Sequence, residues 1–172
     1  MPVTYQLISS NVLSTAAATV TFSAIPSTYT DLVIRASIRD TNSVNNDRNL
    51  QWRINGSTTN YSQTEIMGSG SAATSTRRTG ATFLSANRTI PAALATANTF
   101  SSTEIYIPNY TVATNKPSST FSAGEDNATA AYIMGVANLW SDTATITSIT
   151  FVSDGPSYEA GSSFYLYGIK NS

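Results

Sequence analysis

The chain has 172 residues, only 11% of them charged, with a formal net charge of -1. That length suits one domain around one core, and so little charge gives no steering toward nucleic acid or an anionic membrane. The absence of histidine and cysteine removes Ser-His-Asp and Cys-His nucleophiles, the usual zinc and transition-metal ligands, and any disulfide framework.

Nine tyrosines and six phenylalanines in a 41% apolar chain argue against disorder. Thr, Tyr, Val, Ile and Phe dominate the structured stretches, so strands rather than helices are expected. No charged leader with an apolar core opens the chain, and no run of about eighteen apolar residues occurs. Synthesis in a cytoplasm and no membrane partner are therefore the expectation.

In chain order, Met1 to Tyr5 reads as a short N-terminal arm. The stretches "VTYQLIS" and "ATVTFSAIP" follow as strands, the second stopped by Pro26 and the turn-rich "PSTYTD". In "DLVIRASIRD", Leu32, Ile34, Ala36 and Ile38 alternate with Val33, Arg35, Ser37 and Arg39, which gives one core face and one mostly polar face. After a loop near 40–49, "NLQWRIN" points Leu50, Trp52 and Ile54 inward, and Asn55-Gly56 is a hairpin-turn signal. These two strands are expected to pair with each other.

Next come "SQTEIMG", a Gly/Ser-rich loop near 68–78, and part of "RRTGATFLSA". Ala92 to Ala97 reads as one helical turn or an irregular crossover after Pro91. "FSSTEIYIP", "AAYIMGVANLW", "TITSITFVS" and "SFYLYGI" complete the strands, with Lys116-Pro117 in a turn. Many short strands with Gly, Pro and Asn turns predict an all-β fold: an antiparallel β-sandwich, jelly-roll-like, as a single domain over 1–172. The last strand is expected to close a sheet, with Phe164 in the core and Tyr165 and Tyr167 against a neighbour or a loop.

Little chemistry is left to such a chain. Neither Lys116 nor Lys170 sits where burial is expected to depress an ammonium pKa, so a Ser-Lys dyad is not supported. Glu65 and Glu104 read either as outward solvated carboxylates or as an acid pair of glycosidase type. Asp40, Asn42, Asn45, Asn46 and Asp47 make an oxygen-rich loop without EF-hand spacing, open to a calcium ion or to a solvated Asx turn. No catalytic, cofactor-binding or metal-binding residue is assigned, no cofactor is expected, and the chain does not read as an enzyme.

Seven arginines stand against two lysines, which favours planar, hydrogen-bonded contacts of the kind found in protein interfaces. Arg35, Arg39, Arg53, Arg77 and Arg78 are therefore interface candidates, with Tyr165 and Tyr167. Pairing of these arginines with Asp40, Asp47 or Glu104 inside the chain is the alternative. Trp52 and Trp140 are open to core, sugar-stacking or interface roles, with Trp52 placed in the core by its neighbours.

Several phrases are distinctive together: "AIPSTYTDL" at Ala24 to Leu32, "WRINGSTTNYS", "ATANTFSSTEIYIPNY", "NATAAYIMGVANLWSDTATITSITF" and "YLYGIKNS" at Tyr165 to Ser172. Over nearly its whole length the chain resembles a family of virion structural proteins of tailed bacteriophages of marine and freshwater bacteria, cyanophages among them. The resemblance implies a particle component without catalytic residues. Small stand-alone members look like capsid decoration or cement proteins, and similar modules end larger tail or fibre proteins as adhesive domains.

The expected role is thus a cement protein on the outer capsid surface. Its partner would be the major capsid protein, and the resemblance implies a homo-oligomer, with a trimer favoured. A tail or fibre adhesin for a host-surface glycan is the alternative, and a carboxylate-pair enzyme is a third reading.

Overall fold

The computed structural model describes residues 4–127 and 131–170. Among the described residues there are twelve strands and no helix, as the β-branched and aromatic composition requires. They are β1 (Tyr5–Val12), β2 (Thr19–Phe22), β3 (Asp31–Ser37), β4 (Asp47–Ile54), β5 (Tyr61–Gly68) and β6 (Ala73–Ala81). The second half adds β7 (Leu84–Pro91), β8 (Ser102–Ile107), β9 (Lys116–Gly124), β10 (Tyr132–Trp140), β11 (Ile149–Val152) and β12 (Ser163–Ile169).

Eight strands form one antiparallel sheet in the order β1-β12-β3-β8-β9-β10-β5-β6, and four form the other in the order β2-β11-β4-β7. Each sheet turns alternate side chains inward, so the two bury a common core, and the all-β sandwich expected from the sequence is what forms. Phe151 sits between the layers with ring centroids 5.2 Å from Phe164 and 6.4 Å from Phe22, while Tyr158 lies 5.3 Å from Phe164. The described chain passes repeatedly from sheet to sheet, and consecutive strands pair in β5–β6, β8–β9 and β9–β10.

Several sequence expectations differ from this arrangement. β3 and β4 do not pair: β3 lies between β12 and β8, and β4 lies between β11 and β7 in the other sheet. Alternation marked their inner faces correctly, since Leu32, Ile34, Leu50, Trp52 and Ile54 are all fully buried. It cannot tell a partner beside a strand from one across the core. Asn55-Gly56 does form a tight turn, with φ of 50° and 68° and Ser57 N donating to Ile54 O at 2.9 Å, but it carries the chain from β4 into the opposite sheet.

The loop expected near 68–78 is instead the two-residue turn Gly70-Ser71 followed by β6, where Thr74, Thr76 and Thr79 supply β-branched positions. In the 40–49 segment β4 already begins at Asp47, and the loop before it is tied down, with Ala92 N, Ala93 N and Leu94 N donating to Asn46 O, Asn42 O and Asn45 O. Ala92 to Ala97 is the irregular crossover rather than a helical turn. Of the N-terminal arm, Met1 to Val3 lie outside the described residues, and Tyr5 already opens β1.

Lys116-Pro117 starts β9 rather than forming a turn. This strand escaped apolar patterning because its inner face is made of Lys116, Ser118, Thr120 and Ser122. These groups bond within the sandwich: Thr103 Oγ1 and Ser122 Oγ are 2.7 Å apart, Ser122 Oγ donates to Thr89 Oγ1 at 2.8 Å, and Asn138 Nδ2 donates to Thr120 Oγ1 at 3.0 Å. Small side chains let β7 come close, and at Gly124 an added Cβ would meet Thr89 O at 2.3 Å.

Candidate functional site

Directly paired residues share a face of a sheet, so the register assigns the outer surface of the larger sheet residue by residue. One row runs Tyr165, Arg35, Glu104, Phe121, Gly135 and Ile66 across β12, β3, β8, β9, β10 and β5. A parallel row holds Tyr167, Val33, Tyr106, Ser119, Ala137, Thr64 and Arg77. Val33 is buried within the second row and Tyr165 and Tyr167 are half-buried, but toward β9, β10 and β5 the face is open, and Phe121, Ile66 and Ile133 are 55%, 65% and 51% exposed.

Arg35 Nε donates to Glu104 Oε2 at 3.0 Å, and Nη2 approaches the same oxygen at 3.0 Å. Solvent screens this pair, so it holds side-chain geometry more than it stabilises the fold. Tyr165 and Phe121 flank it in the row and line an open groove of about 490 Å³ with Arg35 and Glu104. Beyond Phe121, Gly135 leaves a notch: nothing lies within 4 Å of where its Cβ would stand. Tyr167 is half-buried and meets the Tyr5 ring at a centroid distance of 5.9 Å.

Of the arginines singled out in the sequence, Arg35 and Arg77 therefore share this face with Tyr165 and Tyr167. Arg53 belongs to the smaller sheet, where its Nε donates to Thr82 O at 3.2 Å. Arg78 pairs with inward-facing Gln63; its guanidinium lies 3.8 Å from Glu65 Oε1 and donates to Ser85 Oγ at 3.3 Å. Arg39 is a correction to the interface list, because it is buried. Its guanidinium donates to the carbonyls of Ala95, Thr96 and Thr99 at 3.2, 2.9 and 3.0 Å and pairs with Glu159 at 2.8 Å.

Phe121, Ile133 and Ile66 were not among the residues picked from the sequence. Their signal was an apolar side chain on the outward phase of an alternating strand, in "STFSA", "AAYIMG" and "TEIMG". Each passes for ordinary strand composition until the inward phase is known.

The alternative chemistries lose their geometry. Glu65 is buried on the inner face, with Asn87 Nδ2 donating to it at 2.6 Å and Gln63 Nε2 at 2.9 Å, while Glu104 stands on the outer face three strands away. The two carboxylates cannot act on one bond. Asp40 is buried and accepts from Asn42 N at 2.8 Å and Ser153 Oγ at 2.6 Å, and Asp47 is held by Arg88 at 3.1 Å. Among the described residues no three His, Cys, Asp or Glu side chains cluster to hold a metal ion. Trp52 and Trp140 are both buried, which removes them as sugar platforms or interface anchors.

Lys116 also differs from expectation. It is fully buried, and its ammonium donates to the carbonyls of Val112, Thr114 and Thr143 at 2.7, 2.5 and 3.2 Å. Burial pushes its pKa below the ordinary lysine value, with Asp142 acting weakly in the opposite sense. Among the described residues no serine is hydrogen-bonded to this amine, whose three donors are all spent on main-chain carbonyls. No protein-family model matches the chain, and no curated protein does.

Proposed function

We propose that the chain is a structural protein of a phage particle, a decoration or cement protein whose larger sheet lies against the outer surface of the major capsid protein. The observation that carries this reading is the exposed apolar stripe of Phe121, Ile66 and Ile133 beside the Arg35–Glu104 pair. Eight strands about 4.8 Å apart and some 25 Å long give a face on the order of 800 Å², the area one partner contributes to a standard stable interface. The resemblance of "AIPSTYTDL" and "YLYGIKNS" to phage virion proteins supports the major capsid protein as the partner in this reading. Bound copies would bridge neighbouring capsid subunits, with the aromatic and aliphatic side chains as anchors and the arginines at the rim.

The test is co-sedimentation with capsids that lack this protein, followed by cryo-electron microscopy. Regular density over the shell is expected for the unaltered chain. Phe121→Glu combined with Ile66→Glu should lose binding at least tenfold while keeping its thermal midpoint, since both side chains stand in solvent. Undiminished binding by this variant, or no density on the head, overturns the assignment.

A glycan-binding adhesin is the second reading, favoured by one feature: Tyr165 and Phe121 on either side of an ion pair in an open groove can stack on a sugar while the charges bond its hydroxyls. Retention of the unaltered chain on host polysaccharide, without capsid binding, selects it.

A further inference from the structure

The four sheet edges are not equally protected. β2 offers four residues; β7 carries Pro91 and a left-handed Arg88 at φ 60°; and β1 is broken by a register shift between Leu7 and Ser9. Short strands, prolines and bulges are the usual ways to stop an edge from pairing further. β6 has none of these from Ala73 to Thr79, and its irregularity comes only at the far end, where Gly80 has φ 63°; of the charges that also blunt an edge it carries two, Arg77 on the outer face and Arg78, which is turned back to Glu65. All nine of its residues are exposed or half-exposed, and its one strand neighbour is β5.

We propose that β6 is the pairing edge for a second copy of this chain, joined antiparallel across a two-fold axis at Thr76. The hydrogen-bond phase selects this register. Ser69 N donates to Ala72 O at 3.0 Å, so these two form a bonded pair at the turn. Bonded and non-bonded pairs alternate from there, which leaves Ser75 opposite Ile66 and Arg77 opposite Thr64 as non-bonded pairs. The N–H and C=O groups of Ala73, Ser75, Arg77 and Thr79 therefore point away from β5.

Centred on Thr76, two β6 strands place Ser75 opposite Arg77 and Ala73 opposite Thr79, so that every outward group meets a partner. Centring on Ser75 strands Thr79, and centring on Arg77 sets two guanidinium groups directly against each other. The Thr76 register avoids that repulsion, leaving the two Arg77 side chains only diagonal neighbours. Arg78 lies on the other face, turned toward Glu65.

A two-fold axis through the joint keeps both outer faces on one side, in an isologous contact that closes on itself. The inference stands apart from the capsid assignment. Where that assignment holds, the pair presents two binding faces in one surface and gains by bivalency.

The chain has no cysteine, so one introduced thiol reports alone. Thr76→Cys, left in air at tens of micromolar, should convert largely to a disulfide-linked dimer, because a central non-bonded pair brings its Cα atoms to about 4.5 Å. Thr74→Cys should remain mostly monomeric under the same conditions, since its copies are offset by four residues. In analytical ultracentrifugation the unaltered chain should have twice the chain mass, and Ser75→Pro, which removes an N–H that β5 does not use, should halve it while the variant still unfolds in one cooperative transition, at a midpoint that no longer depends on protein concentration. Equal cross-linking at positions 74 and 76, a monomeric unaltered chain, or a dimer or trimer indifferent to Ser75→Pro overturns the proposal. If Ser75→Pro does not fold, the cross-linking comparison decides.

Discussion

With its ammonium donating to three carbonyls, Lys116 fixes the turn that precedes β9. Lys116→Met should cost about 2 kcal/mol, the penalty for stranding buried acceptors less the gain from an apolar chain in the same space; the shift of the urea midpoint measures it. Tyr158 presents the reverse case. Its ring packs on Phe164, but its buried hydroxyl has no hydrogen-bond partner among the described residues. Tyr158→Phe should therefore stabilise by about 1 kcal/mol, read as a higher thermal midpoint, and a loss of stability would mean that the hydroxyl is bonded after all. Neither residue advertises its role in the sequence: Lys116 sits in a "NKP" that reads as a turn, and Tyr158 in a "GPSY" that reads as a loop.

Among the strands, β12 shows most clearly how position in the sheet outweighs position in the chain. The last described strand lies between β1 and β3 rather than at an edge, with Phe164 and Leu166 fully buried and Tyr165 and Tyr167 half-buried on the outer face. Its Gly168 is pressed so closely by the Tyr29 ring that an added Cβ would stand 2.3 Å from it. Truncation after Gly161 removes this strand and detaches β1, so the product should be insoluble or lack a cooperative unfolding transition; a soluble, cooperative product would contradict this. The face of β12 was legible because aromatic side chains alternate with Leu166. The place of β9 was not, because hydroxyl groups fill its inner face, and hydroxyls are equally at home in loops.

For the whole molecule, the alkaline limb of stability follows from the phenols. Burial raises the Tyr158, Tyr61 and Tyr110 pKa values above the usual tyrosine range. The unfolded chain then loses protons that the fold retains, so this contribution is complete below about pH 10 and is lost as pH rises beyond it. Lys116 acts in the opposite sense: its depressed pKa lets stability rise with pH until about 10.4, above which the phenols act alone. Unfolding above that pH should coincide with the phenolate absorbance of the buried tyrosines, and Tyr158→Phe should move the midpoint upward. Complete tyrosine titration near pH 10 with the strand circular dichroism intact would contradict this sign.

By itself the sequence determined the class of fold and the inward phase of strands such as β3, β4 and β12, because alternation is a local property that burial of one face imposes on each strand separately. It also restricted the chemistry, since histidine and cysteine are missing whatever the fold. The tertiary structure alone decided which strands pair, that Arg39 and Lys116 are buried supports, that Glu65 and Glu104 face opposite ways, and that Phe121, Gly135 and Ile66 fall in line with Arg35 and Tyr165. Those relations join strands far apart in the chain. They depend on register and sheet order, which are set by the collective fit of two layers and not by any one segment's pattern.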